Sequence, residues 1–245
     1  MRKLIAIALS FFLVGQSWAG SRRFDGTDDY ASFGTGNFLT GDFTLAMWLN
    51  ATSWPTLTGQ YYGIFCKRSS FVTMSFELYY NNPIDAPSEG LTFGFGNSLA
   101  ANIGFAVKPT TSVWNHIALT RSGNDFVLYL NGVSAATASN ATAVPTGTDT
   151  VVAAVLGSEL VGLGPYHLSG SLQDLRIFTR ALTADEVKTM MLCMNYPMGA
   201  SSAWYFLEPE ASPTFADSSG NGVSGTNSGA NPSTDGPPNS WCTEN

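Results

Sequence analysis

The chain of 245 residues has few of the side chains on which most enzymatic mechanisms depend. It contains two histidines and three cysteines, and 12% of its residues are charged. That charged fraction is about half of the quarter that is usual in globular domains. The hydrophobic fraction of 44% is nevertheless ordinary. The composition therefore argues against a disordered chain and allows a sizeable core.

Basic residues are scarce as well, because 11 Lys and Arg stand against 18 Asp and Glu. Arg2 and Lys3 lie in a segment that we expect to be removed, which leaves nine basic residues and a formal net charge of −9. Nucleic acids and anionic membranes are bound by neutralising phosphate with Lys and Arg. The composition therefore excludes both partner classes and favours neutral ligands, while acidic loop oxygens suit calcium.

Residues 1–19 have the pattern of a secretory signal peptide. A basic start at residues 1–3 precedes an apolar run over 4–15, and Ser17-Trp18-Ala19 places small residues at the two positions that a signal peptidase reads. An N-terminal membrane anchor is the alternative, but the run is shorter than the ~20 residues that span a bilayer. We expect cleavage after Ala19 and a secreted protein, extracellular or at a cell surface.

The three cysteines allow one disulfide and one leftover thiol in an oxidising compartment. We predict a bridge between Cys193 and Cys242, because it would tie down a Gly/Ser/Pro-rich tail over residues 211–245. Cys66 lies in a short apolar strand, and we expect it to be a small buried hydrophobic residue.

A period of two in the apolar residues predicts β-strands along most of the chain. The Asn131-Gly132 pair directly follows one such strand and predicts a type I′ hairpin, since both residues tolerate positive φ. Many short strands separated by Gly, Pro and Asn turns predict an all-β fold, an antiparallel sandwich or barrel. The clearest alternating series are Phe43, Leu45, Met47 and Leu49, and Met74, Phe76, Leu78 and Tyr80.

One segment has helical spacing instead. Thr183-Ala184-Asp185-Glu186 is a capping box, in which a hydroxyl and a carboxylate satisfy the first free amides of a helix. We predict one short helix of about three turns that ends before Pro197 and lies against the sandwich. Its apolar stripe consists of Val187, Met190, Met191 and Met194.

Six segments occur in a characteristic order between residues 21 and 192. They are Phe-Asp-Gly-Thr-Asp-Asp-Tyr at 24–30, Phe-Thr-Leu-Ala-Met-Trp at 43–48, Trp-Asn-His-Ile-Ala-Leu-Thr at 114–120, Leu-Tyr-Leu-Asn-Gly at 128–132, the strand at 170–178 and the helix start at 182–186. In this order they resemble the laminin G-like jelly rolls of the concanavalin A-like lectin/glucanase superfamily. The resemblance implies an antiparallel β-sandwich of the jelly-roll type over residues 20–210, with one short C-terminal helix.

A seventh piece lies in the tail. Residues 204–208 and the Asp-Ser-Ser-Gly-Asn-Gly loop at 217–222 are similar to a strand and loop of the same family. The tail either begins a truncated second repeat or folds back onto the first domain. We prefer the second arrangement, because about fifty residues with few apolar runs hardly form a core of their own.

The same loop is a candidate calcium site. Asp217 and Asn221 offer a carboxylate, an amide oxygen and free carbonyls in one Gly-rich turn, which suits a cation of six to eight oxygen ligands. The resemblance implies a calcium ion at the rim of the sandwich, held partly by this loop and partly by Asp174. The alternative is an Asx turn that needs no metal.

Enzymatic activity is poorly supported. Retaining glucanases need two carboxylates about 5 Å apart, as in a Glu-x-Asp-x-Glu strand, and the sequence contains no such run. Neither His116 nor His167 lies in a nucleophile motif, and His116 resembles a structural strand histidine of the family. We predict no catalytic residues and no enzyme activity.

Exposed aromatic residues in loops are the candidates for ligand binding, because sugar rings stack their apolar faces on Trp and Tyr. Trp54, Tyr61 and Tyr62 occupy a polar connection, and Tyr79 and Tyr80 precede an Asn-Asn-Pro turn. Local packing is the alternative role for all five. The expected partner is a glycan or an extracellular protein.

Three function classes follow. The favoured one is a secreted, non-catalytic module that recognises carbohydrate or another cell-surface ligand. The second is a structural or adhesive component of a cell surface or virion, which would form a homo-oligomer or surface assembly through an apolar patch or an open strand edge. The Ala/Thr-rich stretch 134–150 is a candidate contact surface for it. The third class is a degenerate glycoside hydrolase.

Overall fold

The computed structural model describes residues 20–35, 38–70, 73–82, 89–95, 102–141, 154–158, 166–194, 199–200, 202–204 and 212–238. The expected signal peptide, residues 1–19, lies outside the described residues. Across the ranges that are described, no helix has the length and apolar character needed to span a bilayer.

The strands of the described residues, numbered β1 to β16 in chain order, form two antiparallel sheets of eight strands each. The first sheet has the order β10 (Val133–Ser139), β9 (Asp125–Leu130), β8 (Asn115–Ser122), β3 (Phe43–Ala51), β12 (Ser169–Phe178), β1 (Ser21–Asp25) and β16 (Asn231–Ser233), and β13 (Ser202–Trp204) also pairs with β12. The second has the order β14 (Thr214–Phe215), β15 (Gly225–Ser228), β2 (Tyr30–Phe33), β11 (Ala154–Leu156), β4 (Tyr61–Ser70), β5 (Thr73–Asn81), β6 (Gly90–Phe95) and β7 (Ile103–Gly104).

A phenylalanine-rich core lies between the two sheets. Phe43 of β3 lies 5.6 Å from Phe93 of β6, and Phe126 of β9 lies 5.8 Å from Phe95, measured between ring centroids. The alternating series predicted for β3 and β5 supply core residues on one face of each strand, as the period of two requires. The predicted β-sandwich is thus confirmed.

The other face of the first sheet is also covered. A helix, α1 (Ala184–Leu192), packs Val187 and Met190 against Ala46 of β3 and Ala118 of β8 in a second apolar cluster. The Thr44 hydroxyl links the sheet to the chain before the helix, because it donates to the Arg180 carbonyl and accepts from the Leu182 amide. β3 is therefore buried on both faces, although its sequence alternates.

The predicted capping box and hairpin are both present. The Thr183 side chain accepts from the Glu186 amide, and the Glu186 carboxylate accepts from the Thr183 amide. The helix ends at Leu192, earlier than Pro197, because Cys193 has extended backbone angles of φ −125° and ψ 113°. The hairpin residues Asn131 and Gly132 have φ of 52° and 74°, as a type I′ turn requires.

The tail contributes strands to both sheets. β15 pairs with β2, and β16 pairs with β1, so both neighbours are strands from the start of the domain. Phe215 of β14 is fully buried in the core, with its ring centroid 6.4 Å from that of Phe33. Cys66 is buried, and its thiol donates to the Leu78 carbonyl oxygen at 3.6 Å. Cys242 lies outside the described residues, so the bridge between Cys193 and Cys242 stays a prediction.

Gly157 allows a close approach between the sheets and provides a test of this packing. It has φ of 82°, and a Cβ at this position would overlap the ring of Phe24. Gly123 has φ of 59° but nothing within 4 Å of its Cβ position. Both Gly→Ala changes incur the cost of positive φ, about 1 kcal/mol, but Gly157→Ala also overpacks the core. We expect Gly157→Ala to destabilise the protein by about 1–3 kcal/mol more than Gly123→Ala.

Urea denaturation of both variants measures this difference. Equal stabilities would contradict the contact between Gly157 and Phe24.

Candidate functional site

The loop predicted to bind calcium forms a hydrogen-bonded turn. The Asp217 carboxylate accepts from the Ser219 amide at 2.9 Å, the Ser219 hydroxyl at 2.6 Å and the Val223 amide at 3.0 Å. The Asn221 side-chain amide donates to the Ser219 hydroxyl at 3.2 Å and to the Ala200 carbonyl at 3.4 Å. Asp217 and Asn221 thus share one loop, as predicted. These contacts also build an Asx turn, which needs no metal.

Asp174 has a different environment. It lies in β12 of the first sheet with φ of 56°, it is 3% exposed, and it accepts from Arg176 at 2.6 and 2.7 Å. Burial raises the pKa of the Asp174 carboxyl, and the Arg176 guanidinium opposes that shift. Asp217, by contrast, follows β14 of the second sheet. Asp174 therefore lies apart from Asp217 and Asn221 and is engaged in a buried ion pair with Arg176.

Three other carboxylates converge near the start of the chain. Oxygens of Asp25, Asp28 and Asp29 lie within 4.8 Å of one another. Asp25 accepts from the amides of Thr27 and Asp28, and Asp29 accepts from the Asp25 amide, so these oxygens also organise a tight turn. Burial raises the pKa of Asp29. In the sequence these residues stand out only as part of a family motif, although three Asp within five residues also indicate a cluster of carboxylates.

Four of the five predicted aromatic residues lie in β4 and β5 rather than in loops, and strand alternation divides these four tyrosines between two environments. Tyr62 and Tyr80 pair across β4 and β5 and turn towards the core, where Trp54 stacks on Tyr80 with centroids 4.0 Å apart. Tyr61 and Tyr79 lie on the opposite face of the second sheet because they alternate with Tyr62 and Tyr80. The tyrosines next to each other in sequence therefore cannot all meet one ligand.

Trp54 and Tyr80 support the wall of an open groove. The groove has a volume of about 550 Å³ and is lined by residues 52–56, Asn82, Glu89, Lys108 and Thr111. Trp54 donates its indole N–H to the Pro109 carbonyl at 2.8 Å and is 5% exposed, so little of its ring is available for stacking. Hydroxyl, amide and charged side chains also line the groove, from Thr52, Asn82 and Lys108 among others.

The charges of the groove are balanced. The Glu89 carboxylate accepts from Lys108 at 2.5 Å and from the Tyr80 hydroxyl at 2.9 Å. The contact with Lys108, followed by the bond from Tyr80, lowers the pKa of Glu89. Burial, followed by the bond to Glu89, raises the pKa of Tyr80. The groove thus has a paired carboxylate and ammonium rather than a net charge of one sign.

Tyr61 and Tyr79 belong to a second surface. Tyr61 stacks on Tyr166 with centroids 4.4 Å apart and planes 6° from parallel, and both rings are partly exposed. Tyr79 packs its edge against Tyr61 at 5.8 Å, and its hydroxyl accepts from the Asn102 side-chain amide at 3.2 Å. We call Tyr61, Tyr79, Tyr166 and Asn102 the tyrosine surface. It combines flat aromatic rings with a side-chain amide on one face of a rigid sheet.

A buried ion pair lies beside the tyrosine surface. Arg68 of β4 donates to Glu77 of β5 at 2.6 Å, and both side chains are 7% exposed. Glu77 precedes Tyr79 by two residues and thus shares its face of the strand. Gly94 leaves space for the side chains of Asn102 and Glu77, since a Cβ at Gly94 would lie 2.5 Å from Asn102 Oδ1 and 3.2 Å from Glu77.

The two histidines of the chain are both buried. His116 is 2% exposed and packs edge-on against Trp48 at 5.2 Å. Burial, with the charge of Arg176 as a second cause, lowers the pKa of His116 to about 3, so the ring is neutral. His167 is 5% exposed, and its Nδ1 lies 3.4 Å from the Asp29 carbonyl oxygen. Neither histidine is placed to meet a substrate from solvent.

Four residues in or beside the tyrosine surface were not predicted as site residues: Tyr166, Asn102, Arg68 and Glu77. Two of them carried a usable signal. Glu77 lies two residues before Tyr79 in an alternating strand. Tyr166 is an aromatic residue in a polar segment that contains Gly and Pro, like the segment around Trp54. The positions of Asn102 and Arg68 depend on strand register, and no local pattern indicates it.

Comparison with protein families gives one match. The family model described as the concanavalin A-like lectin/glucanases superfamily matches residues 12–188. No curated protein matches the sequence.

Solved structures resemble the chain in fold. A proposed carbohydrate-binding protein from Bacteroides ovatus has a TM-score of 0.68 and 18% identity. The match covers 91% of this chain and 61% of that protein. The heptameric SAP-like pentraxin of Limulus polyphemus has a TM-score of 0.59 and 20% identity over 87% of this chain and 97% of the pentraxin. The CBM40 module of the Ruminococcus gnavus IT-sialidase, solved with α2,3-sialyllactose, has a TM-score of 0.50 and 16% identity over 69% of this chain and 97% of the module.

Proposed function

The chain belongs to the concanavalin A-like lectin/glucanases superfamily, and we propose on that premise that it is a secreted, non-catalytic recognition module that binds carbohydrate. The observation that carries the proposal is the stacked pair of Tyr61, in β4, and Tyr166, whose rings are both partly exposed. Aromatic rings in this setting offer the flat apolar face on which a sugar ring packs. The CBM40 module with this fold, solved with a sialylated sugar, supports glycans as the ligand class.

The surroundings of the pair are suited to a hydroxylated ligand. Tyr79 supports Tyr61 from the side, so the ring that would meet the sugar has a fixed orientation. The Asn102 side-chain amide donates to the Tyr79 hydroxyl and so brings a polar group to the same cluster of tyrosines. A stacking platform held in place by its neighbours loses little side-chain entropy on binding.

The charges near the site favour a neutral sugar over an anionic one. Arg68 is already paired with Glu77 in a buried contact, and Lys108 of the groove is paired with Glu89. An acidic ligand would have to compete with these carboxylates, and it would also meet the net negative charge of the whole chain.

The groove beside Trp54 is a second candidate location for the same ligand class. Its volume of about 550 Å³ lies in the range of small-molecule sites. Thr52, Ser53 and Thr56 bring hydroxyl groups to it, and Lys108 and Glu89 bring one charge of each sign. The tyrosine surface is preferred because the rings of Tyr61 and Tyr166 are partly exposed, whereas Trp54 and Tyr80 are buried.

The proposed role is non-catalytic because both histidines are buried and His116 is neutral. The acidic groups nearest the two candidate surfaces are each held by a cation, Glu77 by Arg68 and Glu89 by Lys108. A general acid for glycoside hydrolysis needs a raised pKa, whereas the pKa of Glu89 is lowered.

Calcium binding is a separate part of the proposal, restricted to the 217–222 loop. Asp217 and Asn221 would hold the ion, with backbone carbonyls of the loop as further oxygen ligands. Bound calcium would supply fixed positive charge and would stiffen the tail next to β15.

Removing either ring of the stacked pair should weaken glycan binding. We expect Tyr61→Ala and Tyr166→Ala each to weaken binding about two- to tenfold, since an aromatic stacking contact contributes about 0.5–1.5 kcal/mol. Tyr30→Ala, at a partly exposed tyrosine of β2, is the matched control and should bind normally. A glycan array followed by calorimetry on the best neutral sugar measures the effect.

The outcomes of this experiment are distinct. Loss of binding in Lys108→Ala but not in Tyr61→Ala would move the site to the groove. If no glycan is retained by the unmodified protein, carbohydrate binding itself is wrong.

Calcium at about 5 mM exceeds the roughly 0.1–1 mM dissociation constants of extracellular modules. We therefore expect it to raise the melting temperature by about 2–9 °C, and we expect Asp217→Ala to abolish the rise. Asp42→Asn, at an exposed loop carboxylate that accepts from the Gly123 amide, should keep it. An unchanged melting temperature in the unmodified protein excludes the calcium site.

Secretion is tested by expressing the full chain and determining the first residue of the exported protein. We expect export with Gly20 as the first residue, because cleavage after Ala19 would leave β1 intact. Retention of the protein in the cell, or an exported protein that starts at Met1, would contradict the proposal.

A further inference from the structure

The groove and the tyrosine surface are neighbours at one end of the second sheet. Tyr61, the first residue of β4, pairs with Asn81, the last residue of β5, and Asn82 of the groove follows directly. Thr56 lines the groove as well, and every residue from 56 to 61 is at least partly exposed. An exposed path along residues 56–61 therefore joins the groove to the tyrosine surface.

Hydrogen bonds hold this path in one shape. The Gly59 amide donates to the Asn82 carbonyl at 2.9 Å, and the Asn82 amide donates to the Gln60 carbonyl at 3.0 Å. The Asn82 side-chain amide donates to the Pro55 carbonyl at 3.0 Å. Leu57 lies in the same turn, and its side chain is 65% exposed. The turn thus places an exposed apolar side chain between the two surfaces.

Another wall of the groove also has a fixed shape. Ala106 and Ser112 have φ of 53° and 60°, and they enclose the segment 107–111, which brings Lys108 to the groove. The Ser112 amide donates to the Ala51 carbonyl at 2.8 Å. Residues other than glycine keep a positive φ only where their surroundings hold them there. A wall of this kind loses little entropy when a ligand binds.

The weakness of one stacking contact shows that the stacked pair of tyrosines needs further contacts. A stacking contact strengthens binding about two- to tenfold, whereas even a dissociation constant of about 1 mM lies roughly a thousandfold below the 1 M standard state. Stacking alone therefore cannot retain a sugar. The hydroxyl, amide and charged groups of the groove, at the other end of the exposed path, can provide the missing contacts.

We propose that the groove, Leu57 and the tyrosine surface form one extended site, which binds a chain of several neutral sugar units rather than a single sugar. The proposal rests on the carbohydrate binding proposed above. One unit packs on the stacked pair of Tyr61 and Tyr166, the chain passes over Leu57, and further units lie in the groove. Contacts that are linked through one ligand reinforce each other, because binding at the first raises the effective concentration at the second.

The dependence of affinity on chain length tests the proposal. The probes are linear oligomers of neutral sugars with two, four and six units, first on an array and then by calorimetry for the series that is retained. We expect the hexamer to bind the unmodified protein at least about tenfold more tightly than the dimer. We expect Leu57→Ala and Lys108→Ala each to weaken binding of the hexamer about three- to tenfold and to leave the dimer unchanged.

Three further variants complete the experiment. Tyr166→Ala should weaken binding of both the dimer and the hexamer, because every chain uses the stacked pair. Val133→Ala is the control for Leu57→Ala, since Val133 is 69% exposed on β10 of the first sheet. Lys188→Ala, at an exposed ammonium of α1, is the control for Lys108→Ala. Both controls should bind every oligomer normally.

The outcomes separate this proposal from carbohydrate binding itself. Equal affinities for dimer and hexamer, or a hexamer that binds normally to Leu57→Ala and Lys108→Ala, overturn the extended site alone. Retention of other glycans but of no linear oligomer has the same meaning. A site in the groove alone follows if Lys108→Ala weakens binding at every length and Tyr166→Ala at none. An array that retains no glycan overturns carbohydrate binding and the extended site together.

Discussion

Side-chain alternation along antiparallel strands is the constraint on which the rest of this structure depends. Each strand must turn one set of residues towards the phenylalanine-rich space between the sheets, and the set in between is left for the outer face. On β3 the outer set is covered by α1, so the strand is buried on both faces. On β5 the outer set carries Glu77 and Tyr79, and it forms part of the candidate binding face.

The same constraint explains the separation of the two candidate surfaces. Tyr80 turns inward, stacks on Trp54 and supports the groove through its hydroxyl bond to Glu89. Tyr79, its neighbour in the chain, turns outward and supports Tyr61. A core residue can thus stiffen one surface while the adjacent residue builds another. Both surfaces are held by charge pairs of opposite sign, which leaves them polar but close to neutral.

Local patterns were sufficient for much of the fold. The period of two located β3 and β5, the capping box located the start of α1, and Asn131-Gly132 located a turn with positive φ at both residues. These signals work because they act over a few residues. The candidate site was predictable only in part, because two of its residues come from distant parts of the chain. Pairing of β6 with β7 places Asn102, and the stack on Tyr61 places Tyr166.

By itself, the sequence determined the all-β class, the strand faces and the aromatic residues from which a site could be built, since these follow from composition or from short-range periodicity. The family followed from the resemblance of its motifs, in their order, to those of known jelly rolls. Only the tertiary structure decided which of those aromatic residues are accessible. It placed Asp174 in an ion pair with Arg176 and left Asp217 in a separate loop, and it made β10 an edge. These outcomes depend on strand order and register, which arise from contacts between residues far apart in the chain.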